Sequence, residues 1–266
     1  MVSKWRYTYV KTVGIQLFIG ILIIWSFGSF GTKKSYTFHK GFNVYHLNQS
    51  FANIYIVQQE DKLLMIDSGS PDKGQKVETK LLDIGINPRD IDYLILTHAH
   101  PDHAGNAQYF KEKFGVRLVA GEGEKEIIRM QGEDANLCPK SFLGHIVKRT
   151  IAQKRYPSFI PDLNVEGSFN LEELGFNGTI LPLPGHTKGS LVVSIGDAVF
   201  VGDIVRGKTL NKKKPTRHLF VCDPIQNLKN IERIAQLNDV KYWYPGHGGP
   251  IAHEEMEQFI NKEKLK

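Results

Sequence analysis

Residues 97–105 read Thr-His-Ala-His-Pro-Asp-His-Ala-Gly and continue directly from the apolar run 93–97. Three imidazoles and a carboxylate packed into six positions at the end of a strand that reads as buried cannot be left unpaired in a core. They must converge on something their lone pairs can bind, and a cation is the simplest such partner. In extended chain His98 and His100 point to one side, and the turn through Pro101 redirects Asp102 and His103 toward a second point. One turn can therefore reach two ions but close neither. Any fold this chain adopts has to bring further donors to the same place. His186 in Leu-Pro-Gly-His, Asp203 in Phe-Val-Gly-Asp and His247 in Tyr-Pro-Gly-His answer that need, each beside a glycine that lets the chain turn and each at the end of a predicted strand. His39, His46, His145, His218 and His253 lack this context and read as surface or packing residues.

The rest of the pattern is compatible with such a frame. Extended runs are predicted at 42–47, 52–58 and 63–67, then at 93–97, 116–120, 179–183, 190–195, 198–201 and 240–244. Helices are predicted at 71–84, opened by Ser70-Pro71 and stopped by Gly85, at 104–114, stopped by Gly115, and from Asp223-Pro224 to about Leu237. Alternating strands and helices imply a layered α/β fold, and the β-rich start argues against a simple doubly wound sheet. Phe142, Ile146, Val147 and Ile151 recur at helical spacing inside the less regular stretch 122–174 and predict an amphipathic helix that could cover the site. At 266 residues and 41% hydrophobic content, one catalytic domain is expected.

The net charge of +6 invites a nucleic-acid reading, but its distribution argues against one. Six cations lie in 1–40 and six in 204–218, with no acid in either stretch; removing them leaves the remainder at −6. No broad basic face remains for nucleic acid. The second cluster, Arg206 to Arg217, begins three residues after Asp203. It reads as a solvated loop, as an anion-binding rim in which Arg206 or Lys208 would hold a carboxylate or phosphate, or, through Lys212 to Lys214, as a contact with anionic lipid. The first cluster flanks 21 uncharged residues, 12–32, long enough to span a bilayer as a helix. We therefore expect 1–32 to be a signal-anchor or cleaved signal peptide, 33–41 a linker and 42–266 the catalytic domain, held at the cell membrane on the extracytoplasmic side or secreted after cleavage. Cys138 and Cys222 form no metal-binding spacing and read as ordinary core or surface residues, with one disulfide as the alternative in an exported domain.

With Asp67 in Leu-Leu-Met-Ile-Asp-Ser-Gly-Ser, these motifs occur in the order Asp67, the 98–103 cluster, His186, Asp203 and His247, and over 42–250 the chain resembles the metallo-β-lactamase superfamily. The resemblance implies a four-layer αββα architecture and two zinc ions, with iron or manganese as other candidates. It places His98, His100 and His186 on one ion, Asp102, His103 and His247 on the other, Asp203 between them, and Asp67 behind the cluster as an orienting acceptor. It implies catalysis by Asp102 and Asp203 with a shared water, activated by the two ions, attacking an ester, thioester, lactone or phosphoester. The complete cluster and Asp203 look more like glyoxalase II, lactonase and phosphodiesterase relatives than true β-lactamases. Arg206 stands where lactonases of the superfamily carry a catalytic tyrosine. A small-molecule substrate is the expected partner, anionic if Arg206 or Lys208 binds it, with the membrane as a second partner through 12–32. The other readings are an iron-dependent redox enzyme on the same fold and a binding module that has kept the fold without catalysis.

Overall fold

The computed structural model describes residues 35–49, 51–135, 137–139, 144–145, 148 and 154–265. The apolar segment 12–32 and all four residues of the expected covering helix, Phe142, Ile146, Val147 and Ile151, lie outside the described residues. Among the described residues no helix is long and apolar enough to cross a membrane.

The chain opens with a meander of β1 (Ser35–His39), β2 (Phe42–Gln49), β3 (Ala52–Gln59) and β4 (Lys62–Ile66), every neighbouring pair antiparallel. There follow α1 (Gly74–Asp83), β5 (Ile91–Ile95), the single turn α2 (Pro101–Ala104), α3 (Ala107–Phe114), β6 (Arg117–Gly121) and α4 (Lys125–Arg129). β7 (Leu163–Val165) completes a seven-stranded sheet in which β4, β5, β6 and β7 run parallel. A six-stranded sheet holds β8 (Phe169–Asn170), β9 (Thr179–Pro182), β10 (Leu191–Ile195), β11 (Ala198–Gly202), β14 (Tyr242–Pro245) and β15 (Ile251–Ala252). The ribbon β12 (Arg206–Gly207) and β13 (Pro215–Thr216) stands apart, and α5 (Pro224–Ala235) and α6 (His253–Lys264) complete the set.

Three buried apolar clusters establish the layering. The first joins the seven-stranded sheet to α1 and α3 through Ile56, Met65, Val77, Leu81 and Phe110. The second, with Tyr55, Ile66, Val193, Phe200 and Tyr244, lies between the two sheets. The third packs Val201, Trp243, Ile231, Ile234, Met256 and Ile260 between the six-stranded sheet and α5 and α6. Helix, sheet, sheet, helix is the expected αββα order, and it follows from each sheet having two apolar faces to cover.

Strand direction then places the site. β4 runs parallel to β5, and β11 parallel to β14, so within each sheet two strands end side by side. β9 is antiparallel to β10, which is antiparallel to β11, so β9 ends with β11. Asp67, the 98–103 cluster, His186, Asp203 and His247 all follow those ends.

Several boundaries differ from expectation for local reasons. The stretch 33–41, expected to be a linker, carries β1, pinned by buried His39, whose Nδ1 lies 2.6 Å from Asp197 and whose Nε2 lies 2.8 Å from the Tyr244 hydroxyl. α1 begins at Gly74, three residues after Pro71, because Asp72 takes a left-handed conformation (φ 59°) that breaks the first turn. The helix expected at 104–114 divides at Gly105-Asn106, where the Asn106 backbone N–H donates to Ser68 Oγ at 3.0 Å and its Nδ2 to the Ser68 and Ser70 carbonyls at 2.6 and 2.9 Å. α5 starts as predicted, the Asp223 carboxylate accepting from the Gln226 amide at 2.8 Å.

Cys138 and Cys222 are not independent core residues but form a disulfide across 84 positions. It ties the segment 137–139 to the loop after β13, where Pro139 also pairs with Phe220. Closing a loop of that length lowers the entropy of the unfolded chain by an amount worth on the order of 4 kcal/mol. We expect the double variant Cys138→Ser/Cys222→Ser to melt roughly 10 °C below the parent in non-reducing buffer. An unchanged melting temperature would mean that the bridge does not form in solution.

Candidate metal centre

All seven expected ligands meet in one place. His186 Nε2 lies 3.2 Å from His98 Nε2 and 3.0 Å from His100 Nδ1. His247 Nε2 lies 3.4 Å, and His103 Nε2 3.9 Å, from Asp102 Oδ2. Asp203 Oδ2 lies between the two groups, 3.9 Å from His98, 3.7 Å from His186, 3.6 Å from His103 and 3.3 Å from His247. Asp203 and every one of these imidazoles except His247 is buried, and His247 is half-buried.

Each ring is held from behind through its other nitrogen. His100 Nε2 faces Asp134 at 3.0 Å, His103 Nδ1 faces Asp67 at 2.8 Å, His186 Nδ1 faces the Phe220 carbonyl at 2.7 Å, and His247 Nδ1 faces the Phe51 carbonyl at 2.8 Å. His98 Nδ1 lies 3.2 Å from Thr97 Oγ1, and that hydroxyl donates to Asp67. Carboxylates and carbonyls only accept, so the rear nitrogens carry protons, and in each neutral ring the inner nitrogen is left as a lone pair. Lone pairs 3.0 Å apart repel unless a cation lies among them. His103 Nε2 and Asp203 Oδ1 are moreover buried with no hydrogen-bond partner among the described residues. The donor set therefore fits divalent metal, and the alignment of inner lone pairs by rear hydrogen bonds is the usual way a protein orients such ligands.

Asp67 sits where expected and does more than expected. Its carboxylate accepts from the Thr97 amide at 2.8 Å as well as facing His103, so one residue after β4 aligns the cluster after β5. The backbone at Asp67 is left-handed, φ 59°. Buried Glu124 braces the same segment by accepting from the amides of Ala99 and Gly189 at 2.7 and 2.8 Å. The glycines act for two different reasons. Gly202 turns with φ 50°, as expected, whereas Gly246 is required for space: a Cβ there would strike Asp203 Oδ1 and His103 Cε1.

The charges respond to this crowding. Burial holds the His98 and His186 imidazoles well below the usual histidine range, aided by neighbouring imidazoles. Burial pushes His103 and His247 the same way, but the carboxylates overcome it: Asp203, Asp67 and Asp102 raise His103, and Asp203 and Asp102 raise His247 to about 10. Asp203 is itself held well below the carboxylate range, burial being outweighed by His218, His247 and His103.

Sequence reasoning missed four participants. His218, expected to be a surface or packing residue, has its Nε2 3.0 Å from Asp203 Oδ2. It had no glycine and no strand end to mark it, and β13 delivers it from a separate ribbon. Asp134 and Thr97 act through other residues, and Lys154 reaches the site from a stretch of no regular structure. A cavity of about 480 Å³ opens over the centre, lined by His100, Asp102, Asp203, His218 and His247 with Phe51, Leu137, Phe220, Lys154 and Arg206. Of the two expected anion-binding residues, Arg206 borders this cavity and Lys208 does not; Lys208 borders a different cavity with Lys214, Lys262 and Glu255. Nor is the basic stretch wholly free: Lys214 pairs with Glu255 at 2.6 Å and Arg217 pairs with Glu263, both acids on α6.

The superfamily profile Lactamase_B, described as the metallo-beta-lactamase superfamily, matches residues 47–247. A probable metallo-hydrolase of Bacillus subtilis is 30% identical over 223 residues, covering 79% of this chain and 92% of its own. A hydroxyacylglutathione hydrolase of Haemophilus influenzae is 30% identical over 162 residues, covering 57% and 68%. Among solved structures, a metallo-beta-lactamase family protein of Thermus thermophilus superposes with a TM-score of 0.61 at 20% identity, over 85% of this chain and 80% of that one.

Because His103 and His247 hold protons at neutral pH in the absence of metal, loading must displace them. Apparent metal affinity should therefore rise as pH increases toward 10, the value to which His247 is raised. Competition against a chelator of known affinity at pH 6, 7, 8 and 9 measures this, and a flat profile would contradict it.

Proposed function

The chain belongs to the metallo-β-lactamase superfamily, and on that premise we propose that it is a hydrolase with a dinuclear zinc centre acting on a small, anionic ester, thioester, lactone or phosphoester. The observation that carries the reading is the convergence of two ligand groups on Asp203 Oδ2, with the inner lone pairs aligned by rear hydrogen bonds. His98, His100 and His186 would hold one ion and Asp102, His103 and His247 the other, with Asp203 shared. When bound, two such ions supply Lewis acidity and a water activated at neutral pH.

The protein's own residues supply the rest. Asp67 and Asp134 keep His103 and His100 in the ligating tautomer. Asp102 is half-buried and opens onto the cavity, so its carboxylate can accept the proton released by an attacking water and pass it to a leaving group there. Arg206 is half-buried and borders the cavity, where its guanidinium can meet an incoming carboxylate or phosphate. Phe51, Leu137 and Phe220 give the same cavity an apolar side for the remainder of the substrate. The name of the Haemophilus relative supports a thioester among the first substrates to try. The disulfide supports a catalytic domain working in an oxidising compartment, as the expected extracytoplasmic placement requires.

Two measurements test the proposal. Asp203→Asn should bind less than the two zinc ions expected for the parent and lose at least 100-fold in kcat, with its circular dichroism unchanged. Full activity with one metal would refute the dinuclear scheme. Arg206→Ala should raise KM for an anionic substrate about tenfold or more while leaving a neutral substrate with the same leaving group unaffected. Equal effects on both substrates would remove Arg206 from recognition.

A further inference from the structure

The seven ligands do not exhaust the imidazoles at this centre. We propose that His218 is an eighth protein ligand, binding through Nε2 the ion held by His98, His100 and His186; this rests on the metal-centre reading above. Its Nε2 lies 3.0 Å from Asp203 Oδ2, the separation at which His186 Nε2 stands from His100 Nδ1. Its ring meets the His186 ring at 4.7 Å and 89°. That repeats the packing of His186 against His98, 4.6 Å and 89°, and against His100, 4.8 Å and 87°. His218 thus extends the perpendicular array of the first three imidazoles by one member.

The backbone behind it is also shared. The Phe220 carbonyl that holds His186 Nδ1 at 2.7 Å lies 3.3 Å from His218 Nδ1. A proton on that Nδ1 leaves Nε2 as a lone pair facing a carboxylate oxygen, and only a cation reconciles the two acceptors. The Phe220 amide also lies 3.3 Å from the same Nδ1, and in the opposite tautomer His218 would merely donate to Asp203. Metal binding and donation are thus the two states to be told apart. The loop that carries His218 is fastened on both sides, by the β12 and β13 ribbon before it and by the Cys138–Cys222 bridge after it, as an inserted ligand requires.

The full-length protein, stripped of metal and titrated with Co(II), separates the outcomes through visible absorption. In the parent, two Co(II) ions should bind; in His218→Ala, affinity for one of them should fall at least tenfold and its ligand-field bands should shift. In His218→Gly, added imidazole should restore the parent spectrum. Zinc-loaded parent protein, which needs no variant to fold, should show by X-ray absorption about three imidazoles per zinc instead of about two and a half. Folded His218→Ala with parental spectrum and affinity, or the lower imidazole count, would overturn the assignment while leaving the metal centre intact. Failure of the parent itself to bind Co(II) would instead overturn the metal centre and the eighth ligand together.

Discussion

One carboxylate oxygen organises this protein. Asp203 Oδ2 lies within 3.9 Å of five imidazoles that come from four separate strand connections. A buried carboxylate among neutral imidazoles is costly by itself, and imidazoles with inward lone pairs are costly by themselves. Cations make the two mutually favourable. The architecture serves that requirement: two sheets, each with a parallel pair, end their strands at one edge of the sandwich so that ligands from residue 98 to residue 247 can share it.

Holding so many unfavourable groups together requires rigidity behind them. It is supplied by hydrogen bonds that face away from the centre, from Asp67, Asp134, Thr97 and the Phe51 and Phe220 carbonyls. The same contacts fix tautomers, so the structural support and the chemistry are one set of interactions. His103 and His247 show the cost most plainly: without metal they are drawn toward the protonated form by the carboxylates beside them.

How much of this could be read from the chain follows the same physics. Ligands borne on one turn, or placed after a strand and beside a glycine, were legible because local geometry leaves a local mark, and all seven are brought together. The layered α/β class was legible from periodicity, and its four layers came from the resemblance alone. What was not legible depends on distant partners. β1 is a strand because His39 finds Asp197 and Tyr244, 158 and 205 residues later in the chain, and nothing within 33–41 announces that. The cysteines likewise carried no spacing signal for a bridge of 84 residues.

His218 is the instructive case. It lacks the glycine and strand end that mark the others, yet those marks describe how a side chain leaves a sheet, not what it can bind. His218 arrives instead from a two-stranded ribbon outside both sheets, on the basic stretch whose charge drew attention to Arg206. That stretch thus combines three roles that its charge alone could not separate. Lys214 and Arg217 dock it against acids of α6, Arg206 turns toward the cavity, and His218 enters the centre. The two cations are largely exposed, whereas Glu263 is buried, and together the pairs orient the ribbon that delivers the imidazole. A run of like charge that reads as solvated loop is here the arm that brings two residues, Arg206 and His218, to the same cavity.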